Sequence, residues 1–108
     1  MSLAGMPPSQ ARFRLPSPSE PARISCFSIM AKADPSVLPR ILDMIAMFDL
    51  IPYRCHVSRS DLEPDRPLLI DLQIADLADE DAHLIEKKLE RMIMVTQILS
   101  SEKRRAAA

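Results

Sequence analysis

Residues 23–60 read RISCFSIMAKADPSVLPRILDMIAMFDLIPYRCHVSRS, and the hydrophobic period changes twice along them. From Arg23 to Lys32 the chain alternates. Phe27, Ile29 and Ala31 fall on one side; Cys26, Ser28 and Met30 fall on the other. A period of two is the mark of a strand. Ala33-Asp34-Pro35-Ser36 then makes a turn and a helix start. Leu38, Ile41, Leu42, Ile45 and Phe48 follow at helical spacing, which predicts an amphipathic helix. Asp49 stands where the first residue past the helix belongs, a place that Gly or Asn fills better. Alternation returns from Ile51 to Ser60, with Tyr53, Cys55 and Val57 against Arg54, His56 and Ser58.

Beyond this stretch the pattern repeats. Arg59 to Arg66 is a polar connection. Pro67 to Ala75 carries the clearest alternation in the chain, Leu68, Ile70, Leu72 and Ile74 against Leu69, Asp71, Gln73 and Ala75. Acidic residues from Asp76 to Asp81 suit the positive end of a helix. Ala82, Ile85, Leu89, Met92 and Ile93 mark its buried stripe, and Glu86, Lys87, Lys88, Glu90 and Arg91 its wet face. Met94 to Ser100 is a last short strand. The order strand, helix, strand, strand, helix, strand predicts an α+β, ferredoxin-like βαββαβ sandwich. The sheet is then four-stranded and antiparallel, in the order 2-3-1-4, with both helices on one face. Phe27, Ile29, Cys55, Val57, Ile70 and Leu72 should meet the helices.

The ends read differently. Residues 1–22 contain Pro7, Pro8, Pro16, Pro18 and Pro21 and no hydrophobic period, so they are expected to be a disordered Pro/Ser-rich leader. Residues 23–102 form the folded domain, and 103–108, KRRAAA, a flexible tail. A core of this size is marginal alone, which favours self-association.

Composition closes off several classes of function. The 108 residues carry a formal net charge of −1 and are 47% hydrophobic. No excess of positive charge calls for nucleic acid or an anionic membrane. Four large aromatics, Phe13, Phe27, Phe48 and Tyr53, are too few for a stacking platform. The outward strand positions Cys26, Ser28, Asp71 and Gln73 lack the aromatics that RNA-binding sandwiches use. Two cysteines make no disulfide framework, and a cytoplasmic location is expected. No apolar run reaches the ~20 residues of a membrane span.

Reactive groups are scattered. Cys55 and His56 are neighbours on a strand and so point to opposite faces. Cys26 and Cys55 lie two strand spacings apart, at least ~9–10 Å, and both thiols should stay free within one chain. His56 and His83 lack metal-ligand spacing. Asp61, Glu63 and Asp65 open like a calcium loop, but the glycine and the closing Glu are missing, with Leu72 in the latter place. Gly5 is the only glycine, so phosphate-binding glycine loops and a nucleophile elbow are absent. No catalytic residue and no cofactor is expected, and the chain reads as a binding module rather than an enzyme.

One turn holds chemical interest. Pro39 is tolerated only in the first turn of a helix, which fixes the start near Ser36. Ser36 is the expected N-cap, with the N–H groups of Val37 and Leu38 open to an anion such as an amino-acid carboxylate.

The segment DPSVLPRILDMIAMFDLIPYRCHVSR resembles the D-x-P-G-x-L start of ACT domains, with the helix and second strand that follow. The resemblance runs over about 23–100. Among ACT proteins it is most similar to the small regulatory subunits of acetolactate synthase. It implies a homodimer made by pairing sheet edges, and an amino-acid effector held between domains against the first strand–helix loop. It also implies docking on a large thiamine-dependent catalytic subunit, with activation and feedback by branched-chain amino acids. The ligand-binding residues it implies are Asp34, Ser36, Val37 and Leu38. Asp34, Pro35, Val37, Leu38 and Arg40 match the family's pattern. Ser36 stands where the family has Gly, Ala33 where many effector-sensitive subunits have Asn, and Asp49 replaces another Gly. The Ser36 side chain would crowd a ligand, and with Ala33 in place of Asn a weak or absent response to valine is expected.

Overall fold

The chain folds, in a computed structural model that describes residues 21–61, 64 and 66–104, as β1 (Arg23–Ala31), α1 (Val37–Met47), β2 (Arg54–Arg59), β3 (Leu68–Ala75), α2 (Asp79–Glu90) and β4 (Val95–Arg104). The four strands make one antiparallel sheet in the order β2-β3-β1-β4. This is the ferredoxin-like βαββαβ arrangement that the two hydrophobic periods require. Residues 1–20 of the expected leader and 105–108 of the expected tail lie outside the described residues, as do Glu63 and Asp65.

The core is a single cluster on one side of the sheet. Phe27, Ile29 and Ala31 of β1 and Ile70, Leu72 and Ile74 of β3 are buried against Val37, Ile41 and Ile45 of α1 and Ile85 and Leu89 of α2. Each large side chain of that set contributes about 1.5–3 kcal/mol by leaving water. The i, i+4, i+8 spacing of Val37, Ile41 and Ile45 keeps all three on the sheet-facing side of α1.

Three expectations about the core need correction. Cys55 faces the helix side of the sheet, opposite Leu72, yet it is exposed. β2 is an edge strand, and helices packed over the two central strands leave the edge uncovered. Val57 is only half-buried for the same reason. Leu42 sits at the solvent margin of α1, outside the stripe of Val37, Ile41 and Ile45 that faces the sheet. Ile93 lies in the α2–β4 connection and is 89% exposed, since α2 ends at Glu90.

The last strand is longer than the sequence suggested. It runs ten residues, to Arg104, and pairs with β1 along its whole length, Arg23 opposite Arg104. Lys103 and Arg104, expected in the tail, are therefore strand residues. Their charge hides the strand because an edge strand has one flank in water. β2, by contrast, is shorter than expected and begins at Arg54; the N–H of Tyr53 already donates to the Gln73 carbonyl at 2.7 Å. A bulge interrupts the β1–β4 register between Met30 and Ala31, and the Thr96 hydroxyl donates to the Met30 carbonyl there at 3.0 Å.

Arg23 ties three elements together. Its guanidinium pairs with Asp79 at the start of α2 and with Glu102 of β4, and its Nη2 donates to the Leu77 carbonyl at 2.9 Å. The Nε faces Glu102 as an ion pair rather than as an aligned hydrogen bond.

Candidate functional site at the start of helix α1

The β1–α1 turn is built from its own side chains. Asp34 Oδ1 accepts hydrogen bonds from the Ser36 backbone N–H, at 2.9 Å, and from the Ser36 hydroxyl, at 2.6 Å. An aspartate that accepts from the N–H two residues on forms an Asx turn. Ser36 occupies the N-cap position as expected, but its side chain does not cap the helix. Its hydroxyl is committed to Asp34. The Asp34 carbonyl accepts the Val37 N–H at 3.1 Å, and the Ser36 carbonyl accepts the Arg40 N–H at 3.2 Å.

Of the two N–H groups expected to be open, that of Val37 is therefore taken. That of Leu38 makes no hydrogen bond to another described residue. Val37 is fully buried and Leu38 half-buried, so both side chains serve the core. The four residues Asp34, Ser36, Val37 and Leu38 are brought together in one turn. Their polar groups mostly satisfy each other. The signal for this was present in the sequence, since an Asp two places before a Ser at a helix start is an Asx-turn pattern.

The electrostatics follow from the hydrogen bonds. The Ser36 hydroxyl, and after it the Ser36 N–H, hold the Asp34 carboxyl below the ordinary aspartate value of 3.8, with a smaller contribution from the Arg40 charge. The turn thus presents a fixed anion beside the N-terminus of α1.

The other candidate chemistry disperses. His56 lies on the open face of the sheet, opposite Asp71, and Cys55 on the helix side. Cys26 and Cys55 are free, with β3 between their strands. Partial burial of the Cys55 side chain pushes its thiol up, which makes it a poorer thiolate. His83 is exposed on α2. Among the described residues no group of three or more His, Cys, Asp and Glu side chains could hold a metal ion. On the open face Ser28 Oγ donates to Asp71 Oδ1 at 3.1 Å. Ser28 and Asp71 are exposed, and Cys26 and Gln73 are half-buried. Among the described residues no helix is long and apolar enough to cross a membrane.

Both edge strands carry charge, Arg54 and Arg59 on β2 and Glu102, Lys103 and Arg104 on β4, and β4 also exposes Leu99 at 62%. They differ in the bulge, which β4 carries and β2 does not, and a bulge discourages strand pairing. Between the last residue of α1 and the start of β2, three large apolar side chains stand in solvent: Met47 at 83% exposure, Ile51 at 87% and Tyr53 at 50%. An uncovered strand flanked by apolar surface is a ready template for another chain.

Comparison with known families matches residues 18–106 to the family described as ACT-like domain. No curated protein matches the chain.

Proposed function

The chain belongs to the ACT-like domain family, and on that premise we propose that it is a non-catalytic regulatory subunit that works as a homodimer on a separate enzyme. ACT-like domains are regulatory, ligand-sensing modules. The observation that carries the reading is the family match over the whole βαββαβ domain, residues 18–106. The scatter of His56, His83, Cys26 and Cys55 over separate parts of the sheet and α2 supports a role without catalysis.

The dimer forms by antiparallel pairing of β2 with β2 of a second copy, giving an eight-stranded sheet. Met47, Ile51 and Tyr53 lie beside that seam. The enzyme it serves is acetolactate synthase, whose small subunits the segment 34–59 resembles. Asp34, Ser36, Val37 and Leu38 are the residues that would face an effector. The Asx turn fills the place that a branched-chain amino-acid carboxylate would take, so the subunit activates its enzyme and responds weakly to valine.

Sedimentation of the full chain should give a dimer, and Met47→Glu with Ile51→Glu should give a folded monomer. Acetolactate formation by the matching large subunit should rise on addition of the wild-type chain, and valine should leave that rate nearly unchanged. A monomeric wild type removes the edge pairing. No complex and no change in rate removes the acetolactate synthase assignment. Tight binding of a non-branched amino acid in calorimetry would replace it with a free-standing amino-acid sensor.

A further inference from the structure

A second surface borders the β1–α1 turn and runs between the two helices. Arg40 and Met44 of α1 line a shallow, open groove with Lys88 of α2 and with Arg91 and Met92 just past its end. The three charged side chains are exposed, and both methionines are half-buried. No carboxylate lines the groove. Yet the chain as a whole is slightly acidic, with a net charge of −1. Three cations converging on one depression are thus a local feature, not a reflection of composition.

None of these cations is held in an ion pair among the described residues, although the Arg40 charge also acts on Asp34. The ion pairs formed there involve Arg23, Lys87 and Arg104. Lys88 instead stands 6.0 Å from the centre of the Phe48 ring, a contact that leaves its positive charge intact. Part of this charge complements the negative end of α2. That accounts for Lys88 and Arg91, but not for Arg40, which comes from the first turn of the other helix.

We propose that this groove binds an acidic, amphipathic segment of a partner protein. Shape decides between a peptide and a small anion. Small-ligand sites enclose most of their ligand, whereas this groove is open along its length and follows the seam between two helices. Carboxylates of the segment meet Arg40, Lys88 and Arg91. Its apolar residues lie on the thioethers of Met44 and Met92, which are flexible and polarisable enough to fit an irregular surface. None of its lining residues belongs to residues 34–38 or to β2, although Arg40 borders the turn, so it holds whichever enzyme the domain regulates.

The test uses the full chain and two fluorescein-labelled peptides of about 15 residues. One has Glu and Leu at helical spacing; the other has every Glu replaced by Gln. Fluorescence anisotropy should show the Glu peptide binding at least tenfold more tightly, with the difference shrinking as salt rises. Lys88→Glu with Arg91→Glu should weaken that binding at least tenfold. Arg66→Glu with Lys103→Glu makes the same change in net charge outside the groove and outside β2, and should leave it within twofold. Circular dichroism would check that both variants keep their helices. Equal affinity for the two peptides overturns the proposal without recourse to any variant. Equal loss in both double variants overturns it too, because binding then tracks net charge rather than the groove.

Discussion

Asp34 shows how one side chain can decide what a turn does. Its carboxylate is held below the ordinary 3.8 by two donors of Ser36, although the group is open to water. The folded-state value is depressed, so the contribution of these bonds to stability is complete above the unfolded value. It is lost as pH falls through the lower folded value. NMR titration of the Asp34 side-chain carbon should give a midpoint below 3.8, and Ser36→Ala should move it back up. A wild-type midpoint at or above the ordinary value would mean that the Asx turn does not persist in solution. The same residue was legible in the sequence as part of a family pattern. The family pattern names residue types only; the Asx turn follows instead from an Asp two places before a Ser at a helix start.

Helix α1 ends by a device that the sequence marked. Phe48 is the C-cap, and Asp49 follows with φ of 60°. The Asp49 N–H donates to the Ala46 carbonyl at 2.9 Å, and the Leu50 N–H to the Ile45 carbonyl at 3.4 Å. This pair of bonds is a Schellman motif. It requires a left-handed residue, which costs about 1–2 kcal/mol for a side chain with Cβ. An aspartate also brings negative charge to the negative end of the helix. Asp49→Gly should therefore stabilise the domain by about 1 kcal/mol, seen as a higher urea midpoint with an unchanged slope. A lower midpoint would place the cost elsewhere, in the added freedom of the unfolded chain. At the same scale the strand ends were read poorly. β4 runs four residues past the expected Ser100 because its partner β1 supplies hydrogen bonds as far as Arg23. That support comes from a segment about 80 positions away, beyond the reach of local alternation.

For the whole molecule, one core carries the fold, and Ile41 is at its centre with no exposed surface. Ile41→Asp buries a charge with no partner, a change that costs more than such a small domain can lose. Circular dichroism and a thermal melt should show no cooperative transition. Ile41→Ala should keep the fold and cost about 2–5 kcal/mol. A cooperative melt for the aspartate variant would mean that α1 presents another face to the sheet. The core residues of β1, β3 and both helices follow from periodicity. Those at the margin do not: Cys55 on the edge strand, Leu42 outside the buried stripe of α1 and Ile93 past the end of α2 are as apolar as their buried neighbours, yet they stand in water.

The chain determined by its periods alone the order of elements, the face each strand turns to the helices, the β2-β3-β1-β4 sheet and the closed helix end at Asp49. Those features depend on neighbours within a turn or two residues, and on the few ways such elements can pack. The tertiary structure decided where burial stops at the sheet's edges, how far β4 extends, and that Arg40 joins Lys88 and Arg91 on one groove. Each of these depends on groups distant in sequence arriving within a few ångströms of one another, a distance that no local pattern records.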